Sequence, residues 1–183
     1  MSRSDEKKAL RAELLAAQKE FLDGAMSKIE SERILSEVEK DEDFLRSGVI
    51  LCYCSIPGEV ETLDFLEKWS RTKTVLVPRV EGDDMTLRLF SPDLLQTGYK
   101  GILEPSSQAP SYPFECVEFA IIPGLAFAPC PEGGFYRMGR GKGFYDRAAS
   151  RLKCPLCAVC FPFRLMESIP TDSWDVKMDK LYY

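Results

Sequence analysis

Residues 48–80 have the sequence GVILCYCSIPGEVETLDFLEKWSRTKTVLVPRV, and this stretch decides the fold. Its two apolar runs, GVILCYCS at 48–55 and TVLVPRV at 74–80, have the length and the near-continuous hydrophobicity of buried strands. The segment VETLDFLEKW at 60–69, which lies between them, has apolar residues at helical spacing and predicts a helix. A sequence that alternates between buried strands and helices is typical of an α/β fold.

Further helices and strands are predicted on both sides of this stretch. Ser4 is the predicted N-cap of a first helix that continues until Gly24. The other predicted elements are a helix over about residues 31–40, strands at 85–90, 117–124 and 154–161, a helix at 144–153, and a loop-rich excursion at 91–105. The pattern therefore indicates one α/β domain over residues 1–183, with a sheet covered on both faces.

The composition excludes several kinds of chemistry. The 183 residues include no histidine, which rules out Ser-His-Asp and Cys-His catalysis and histidine metal sites. A net charge of −5 opposes binding to nucleic acid and to anionic membranes. There is no apolar run long enough to span a bilayer, and the charged N-terminus differs from a secretory signal. A soluble, cytoplasmic protein is expected.

The seven cysteines are expected to be reduced, and the five that lie in two apolar runs are expected to pack in the core. Cys154, Cys157 and Cys160 have a spacing that resembles iron–sulfur sites, but they lie in the apolar run CPLCAVCF and no fourth cysteine completes a set. Cys52 and Cys54 likewise belong to the apolar run at 48–55. Burial is therefore favoured over metal binding.

The stretch RMGRGKGFYDR at residues 137–147 is the strongest functional signal. Four cationic side chains against one acid give it a formal charge of +3 in an acidic chain. It lies between the predicted strand at 117–124 and the predicted helix at 144–153, where α/β proteins bind ligands. Three alternating glycines let backbone N–H groups approach a ligand, and arginine matches phosphate oxygens. A polyphosphate site is indicated, and a flexible surface turn is the alternative.

Asp146 follows this basic loop directly. An acid beside bound phosphates is favourable only with a cation between them, which indicates Mg²⁺. It is equally compatible with an acid in the first turn of a helix, or with a partner for Arg147.

The whole set of motifs resembles the 5-formyltetrahydrofolate cyclo-ligase family. RMGRGKGFYDR is similar to the signature R-L-G-x-G-x-G-Y-Y-D of that family. The other matches, in family order, are KKALR at 7–11, SIPGEVET at 55–62, VPRV at 77–80, GILEP at 101–105, IIPGLAF at 121–127 and SWDVKMD at 173–179. The resemblance implies a Rossmann-like, three-layer αβα sandwich with a mostly parallel sheet.

The resemblance also implies an ATP- and Mg²⁺-dependent enzyme that closes 5-formyltetrahydrofolate to 5,10-methenyltetrahydrofolate, with release of ADP and phosphate. The formyl oxygen is phosphorylated and the neighbouring amine then attacks the activated carbon. This reaction suits a protein without histidine, because phosphoryl transfer depends mainly on positioning and charge neutralisation. The expected partners are the two small-molecule substrates, with neither nucleic acid nor membrane, and a monomer is expected.

The matched motifs assign residues to ATP and to the metal. Mg²⁺ ligands are implied at Asp146 and Asp175, and catalytic roles at Arg140 and Lys142. From the sequence alone, Asp175 would be interpreted as an ordinary surface acid. The residues matched to ATP binding are Lys7, Arg11, Arg137, Gly139, Arg140, Gly141, Lys142, Gly143 and Tyr145. Without the resemblance, Lys7 and Arg11 are a solvated stripe on one helix face.

The folate site is implied by a second group of residues. Glu59 is matched to the pterin amines, because a carboxylate accepts from two neighbouring donors. Its alternative is an acid at the N-terminus of a helix, and the alternative for Phe144 and Tyr145 is the core. The residues matched to the folate are Cys54, Ile56, Glu59, Tyr99, Phe144 and Tyr145.

The sequence departs from the family pattern at four places. Ala128, Trp174 and Lys100 replace an acid, a histidine and an aromatic residue, and the loop APCPEGGFY at 128–136 is longer than usual. These departures leave two alternatives open. One is a relative that uses the same ATP site on another formyl- or carboxyl-bearing substrate, and the other is a non-catalytic protein that binds nucleotide or folate.

Overall fold

The computed structural model describes residues 2–21, 24–98 and 101–183. The helices in this part of the chain are α1 (Arg3–Phe21), α2 (Gly24–Val38), α3 (Glu42–Arg46), α4 (Leu63–Trp69) and α5 (Phe144–Ala149). The strands are β1 (Val49–Leu51), β2 (Thr74–Glu81), β3 (Asp84–Leu89), β4 (Leu95–Thr97), β5 (Leu103–Pro105), β6 (Ser111–Tyr112), β7 (Phe119–Ile121), β8 (Ala126–Pro129), β9 (Phe135–Met138), β10 (Leu156–Val159) and β11 (Lys180–Tyr182). No helix within these ranges has the length and hydrophobicity required to cross a membrane.

A seven-stranded sheet forms the centre of the protein, in the order β11-β10-β7-β1-β2-β3-β6. Neighbouring strands from β11 to β2 are parallel, and β3 and β6 add an antiparallel edge. Two small hairpins, β4–β5 and β8–β9, lie outside this sheet. The mostly parallel α/β sheet predicted from the alternating pattern is therefore confirmed.

Alternate residues of the parallel strands enter separate hydrophobic clusters on the two faces of the sheet. On one face, Ile50 is paired in register with Val75 and Phe119 and packs with residues of α2, α3 and α4. On the other face, Leu51 is paired with Leu76 and Ala120 and packs with residues of α5. Since side chains alternate across a strand, apolar runs without polar interruption are required to fill both clusters.

The N-terminal helix packs against the β8–β9 hairpin rather than against the main sheet. Leu14 on α1 belongs to a third cluster with Leu125, Ala126 and Met138. Lys7, Arg11, Leu14 and Gln18 recur at helical spacing, so they lie along one face of α1. This packing directs two charged side chains and an amide of α1 towards the loops at the sheet edge.

Several predicted boundaries are wrong. Ser2, not Ser4, caps α1, since its hydroxyl accepts a hydrogen bond from the Asp5 amide at 3.2 Å. The second helix begins at Gly24 instead of about residue 31, because a polar first half does not prevent a helix from forming when its later turns are buried. The predicted loop at 128–136 contains the turn of the β8–β9 hairpin. Apolar residues flank Gly133–Gly134 in that segment, a pattern that favours a hairpin.

The cysteines pack as the apolar runs predict. Cys52, Cys157 and Cys160 are buried within the two clusters that flank the sheet. Burial raises the pKa of each of these thiols, so they remain protonated at neutral pH. All seven cysteines are free thiols.

Asp41 joins the start of α3 to the edge strand β11. One carboxylate oxygen accepts hydrogen bonds from the amides of Asp43 and Phe44, at 2.8 and 3.2 Å, and thereby caps α3. The other oxygen accepts from Lys180 Nζ at 2.6 Å and from the hydroxyl of Tyr182. Although desolvation opposes ionisation, these bonds lower the pKa of Asp41 from 3.8 to about 2.

We expect Asp41→Asn to lower the free energy of unfolding at pH 7 by about 2 kcal/mol, since one pKa unit corresponds to about 1.4 kcal/mol. Asparagine is also a good N-cap, so the substitution mainly tests the charge. Because the folded-state pKa is below the unfolded value, the contribution of Asp41 is present above about pH 4 and is lost as the pH falls towards 2. Urea unfolding of both proteins between pH 7 and pH 3 measures the difference.

Asp43→Asn is the matched control, because this carboxylate contacts the same lysine but is 45% exposed. Its effect should stay below about 1 kcal/mol. A difference between wild type and Asp41→Asn that stayed constant across the pH range would contradict the electrostatic role of Asp41.

Candidate active site at the carboxyl edge of the sheet

The strand order creates a crevice between β1 and β7. From β1 the chain passes through α4 to β2 on one side, whereas from β7 it passes through α5 to β10 on the other side. The segments that follow the two strands therefore separate at their carboxyl ends. Open α/β sheets bind their ligands at such a point. The segment at 52–62 follows β1, and the segment at 122–125 leads from β7 into the β8–β9 hairpin.

The hairpin delivers the glycine-rich loop to this crevice. Arg137 lies within β9, so the loop proper begins at Gly139 rather than directly after the strand at 117–124. It ends at Gly143, which is the N-cap of α5 and has a φ of 68°. Since a residue with a side chain rarely adopts this left-handed conformation, glycine is favoured where the loop turns into the helix.

Arg137 is a buried support for the loop. Its side chain is only 2% exposed, and it donates to the Pro123 carbonyl at 3.1 Å and to the Asp146 carboxylate. The loop is thus tied at both ends, to the segment after β7 and to the first turn of α5.

Of the two sequence alternatives for Asp146, a partnership with Arg147 is wrong, because Arg147 donates instead to the carbonyls of Lys142 and Asp83.

Three other cations lie on or against the loop. Arg11 donates from Nε to the Gly139 carbonyl at 2.9 Å, which fixes α1 to the loop. Arg140 is 38% exposed and forms an ion pair with Glu59, whose nearest oxygen is 3.0 Å from Nη2. Lys142 is exposed and forms no ion pair with any residue that the structure describes. It lies at an open surface depression that is also lined by Glu81, Asp83 and Asp84.

Lys7 binds the C-terminal segment instead of the loop. Its Nζ is 2.7 Å from an Asp172 oxygen and 2.5 Å from an Asp175 oxygen. Burial opposes its charge, but these carboxylates outweigh that effect and raise the pKa of Lys7. Asp175 also accepts from the Asp172 amide at 2.8 Å. The structure therefore brings together a residue matched to ATP and one matched to Mg²⁺.

Glu59 lies across the crevice from the loop, in the segment after β1. One oxygen accepts from Arg140, and the other accepts from the Ile56 amide at 3.3 Å. Burial raises the pKa of Glu59 above its usual value, against the opposing effects of Arg140, the Ile56 amide and Arg164. A desolvated carboxylate with few partners is well suited to accept hydrogen bonds from a ligand.

Three of the other residues matched to the folate, Cys54, Phe144 and Tyr145, pack against the core clusters. Cys54 packs against the core, and burial raises the pKa of its thiol to about 11. Ile56 is half-buried beside Glu59. Tyr145 packs against the clusters on both faces of the sheet, and desolvation raises its pKa well above the usual value. Phe144 packs against one cluster with its ring 5.2 Å from the Arg147 guanidinium. Tyr99 lies outside the described residues.

The two carboxylates matched to Mg²⁺ do not form a metal centre by themselves. Within the described ranges, there is no group of three or more His, Cys, Asp or Glu side chains that could hold a metal ion. Asp146 and Asp175 are each engaged by a cation, Arg137 and Lys7 respectively. Mg²⁺ is commonly bound by one or two carboxylates together with substrate phosphates. Each of the two carboxylates contacts its cation through one oxygen, Oδ1 in Asp146 and Oδ2 in Asp175, and the other oxygen is a ligand of the kind that Mg²⁺ takes.

Two residues of this region were not identified from the sequence. Arg164 is buried at the end of a 3₁₀ turn that follows β10, and Gln18 on α1 accepts a hydrogen bond from its guanidinium at 2.8 Å. The sequence signal for Arg164 was its charge, three positions after the predicted buried strand at 154–161. No sequence pattern distinguishes Gln18 from the other polar residues of α1.

The departures from the family pattern lie in different environments. Ala128 is buried in β8 and packs with the α1 cluster, so a small side chain fits where an acid is usual. Trp174 is exposed, next to Asp175. Lys100 lies beyond the described part of the chain.

Comparisons with known proteins agree with this geometry. A sequence model of the 5-formyltetrahydrofolate cyclo-ligase family matches residues 3–183. The structure is similar to an NMR structure of 5,10-methenyltetrahydrofolate synthetase from Aquifex aeolicus, with 33% identity, a TM-score of 0.84, and coverage of 96% of this chain and 88% of that chain. A 5,10-methenyltetrahydrofolate synthetase from Mycoplasma pneumoniae shares the fold, with 21% identity, a TM-score of 0.74, and coverage of 96% and 97%. The α/β sandwich expected from the sequence is thereby confirmed.

The two arginines of the loop should respond differently to substitution. We expect Arg137→Met to lower the free energy of unfolding by about 3 kcal/mol, because it leaves the Asp146 carboxylate and the Pro123 carbonyl without their partner. Arg140→Met should change it by less than about 1 kcal/mol, since this ion pair is partly exposed. Urea unfolding monitored by circular dichroism measures both effects. Equal losses in the two variants would show that the loop is not supported from below by Arg137.

Proposed function

The chain belongs to the 5-formyltetrahydrofolate cyclo-ligase family of enzymes, and we propose that it converts 5-formyltetrahydrofolate and ATP into 5,10-methenyltetrahydrofolate, ADP and phosphate, with Mg²⁺ bound to the nucleotide. The observation that carries the proposal is the Arg140–Glu59 ion pair across the β1/β7 crevice, at 3.0 Å. A cation suited to a phosphate thus touches a carboxylate suited to a pterin. Two ligands bound to these residues would meet in the crevice, as phosphoryl transfer between them requires.

The proposed reaction has two stages. In the first, the formyl oxygen attacks the γ-phosphorus, so that an O–P bond forms while the bond from the phosphorus to ADP breaks. In the second, the neighbouring N10 amine forms a bond to the formyl carbon and loses its proton, and the C–O bond breaks as phosphate leaves. The formyl oxygen therefore ends in the phosphate. Neither stage requires histidine, because positioning and charge neutralisation provide most of the catalysis.

The basic loop is proposed to hold the nucleotide. Arg140 and Lys142 would neutralise charge on the phosphoryl group during transfer, with Arg11 as a further phosphate contact. The loop glycines would contribute backbone N–H groups. Asp146 and Asp175 would bind the Mg²⁺ of the nucleotide complex through the carboxylate oxygens that Arg137 and Lys7 do not contact. Arg137 supports the loop from below, and Lys7 takes part through its contact with Asp175.

The folate is proposed to bind on the other side of the crevice. Glu59 would accept hydrogen bonds from the pterin amines in place of Arg140, and Cys54, Ile56, Phe144 and Tyr145 would contact its apolar faces. Nucleotide phosphates that attract Arg140 would release Glu59 for this role.

The purified protein with Mg·ATP and 5-formyltetrahydrofolate should generate the absorbance of methenyltetrahydrofolate with one ADP released per turnover. Substrate labelled with ¹⁸O in the formyl group should transfer the label to inorganic phosphate, as detected by mass spectrometry. Omission of Mg²⁺ should abolish turnover. ADP release only with a different acceptor would favour a relative with another substrate, and nucleotide binding without turnover would favour a binding protein.

Lys142→Met is the matched test of the loop in the same assay. It should lower kcat/KM for ATP by roughly 100-fold or more, as loss of a charge that stabilises a transition state does. Lys40→Met, which removes an exposed lysine from the end of α2, should leave the rate unchanged. Normal kinetics in Lys142→Met would eliminate its proposed role.

Glu59→Gln should lower kcat/KM for the folate by roughly 10- to 100-fold, because a hydrogen bond to a charged group contributes about 1.5–3 kcal/mol.

Since burial raises the pKa of Glu59, KM for the folate in the wild type should increase as the pH falls through that raised value, when the carboxyl becomes protonated. In Glu59→Gln this acid limb should disappear. Kinetics between pH 5 and pH 8 measure it, with the exposed Glu42→Gln as the control. An identical acid limb in Glu59→Gln would assign the titration to another group.

A further inference from the structure

Arg164 is a fully buried cation beside the proposed site. It ends the 3₁₀ turn Pro162–Arg164 that follows β10, and only 1% of its surface is exposed. A guanidinium is costly to bury unless its donors are satisfied and a negative charge is near. At this degree of burial, Arg164 cannot contact a substrate in the conformation observed, so its role must act through its neighbours.

The hydrogen bonds of Arg164 join three segments of the chain. Nη1 donates to the Leu125 carbonyl at 3.0 Å, in the segment after β7. Nη2 donates to the Gly58 carbonyl at 2.5 Å, in the segment after β1, and to Oε1 of Gln18 on α1 at 2.8 Å. Arg164 therefore bridges the two sides of the crevice in which the ligands are proposed to bind.

Gln18 completes the attachment of the turn before Glu59. Its Nε2 donates to the Pro57 carbonyl at 2.6 Å, so successive carbonyls of the turn are held by Gln18 and Arg164. Gly58 has a φ of 83°, and a Cβ at this position would lie 2.0 Å from the Gln18 side chain. The turn and the Gln18–Arg164 pair thus pack in direct contact. The Glu59 amide, which donates to the Ile56 carbonyl at 3.0 Å, closes the same turn.

Arg164 has no carboxylate in direct contact among the described residues, and Glu59 acts on it through space. In the described part of the chain, Arg164 forms no ion pair within 4.0 Å, and its Nε has no hydrogen-bond partner. Burial lowers the pKa of Arg164, and Glu59 opposes this effect. The other groups that act electrostatically on Glu59 are Arg140 from the loop, Tyr53 from the segment after β1, and Tyr145 from α5. Arg140 is available to a phosphate, whereas Arg164 is held in place.

We propose that Arg164 is the positioning residue of the folate subsite: it ties the Pro57–Gly58 turn to α1 and to the segment after β7, and so holds the Glu59 carboxylate in the crevice. This inference rests on the proposed function for the identity of the ligand. Arg164 holds the position of Glu59 through the turn, and its charge also acts on Glu59 through space, less strongly than that of Arg140. These two effects can be separated by substitution.

The experiment compares Arg164→Lys, which keeps the charge but loses the forked donors, with Arg164→Gln, which keeps a donor but loses the charge. Both should raise KM for 5-formyltetrahydrofolate by roughly tenfold or more, with KM for ATP changed less than about threefold, because the misplaced group contacts only one substrate. The acid limb of kcat/KM for the folate should move to higher pH in Arg164→Gln and stay near the wild-type position in Arg164→Lys. Arg46→Met, an exposed arginine on α3, is the control.

Hydrogen exchange of the Glu59 amide provides a readout that does not depend on activity. Exchange should become faster in both Arg164 variants and remain unchanged in Arg46→Met. A wild type that does not turn over the folate would refute the proposed function, while faster exchange in the variants would still establish the effect on the turn. An active wild type with unchanged exchange and unchanged folate KM in both variants would overturn the positioning role. So would an equal increase in both KM values.

If an Arg164 variant no longer unfolds cooperatively, Gln18→Ala provides the test in its place. This substitution removes one of the three acceptors of Arg164 and the donor to Pro57 without burying a new charge. It should reproduce the faster exchange and the higher folate KM, without the shift in the acid limb. Unchanged exchange in Gln18→Ala would count against the turn as the point of action.

Discussion

The parallel pairing of β1 with β7 is the constraint on which the rest of the structure depends. Leu51 at the end of β1 lies opposite Ala120 of β7, so the two strands end side by side and point in the same direction. Because the chain leaves them towards opposite sides of the sheet, a crevice must open between the segments that follow. Glu59 and the Pro123 carbonyl, which holds Arg137, lie in those segments. The site is thus a consequence of strand order before any of its side chains is considered.

Buried guanidinium groups hold the two walls of this crevice. Arg137 joins the segment after β7 to the first turn of α5, and Arg164 joins the same segment to the turn after β1 and to α1. Arginine suits this task because its planar fork donates to several acceptors in fixed directions. Asp146 contacts Arg137 directly, and Glu59 acts on Arg164 through space. The charges that support the site are therefore balanced locally, as buried charges must be.

The more accessible charges of the site are also paired with each other. Lys7 binds Asp175 and Arg140 binds Glu59, so groups matched to different ligands neutralise one another. Pairs of this kind avoid isolated charges in a partly desolvated crevice. They also couple the proposed ligands, because a phosphate that binds Arg140 competes with Glu59 for it. Lys142, a proposed phosphate contact, is exposed and forms no ion pair among the described residues.

The sequence by itself determined the strand and helix alternation, the two-sided burial of the apolar runs and the basic glycine loop, since these depend on local periodicity and residue type. It also carried the resemblance that places the chain in its family, through motifs spread from Lys7 to Asp179. Only the tertiary structure showed the β8–β9 hairpin, the burial of Arg137 and the bridge formed by Arg164. The hairpin is local and its Gly133–Gly134 turn was a usable signal, whereas Arg164 contacts residues 39, 106 and 146 positions away. Such contacts are decided by strand order and packing, which local patterns of hydrophobicity and charge do not encode.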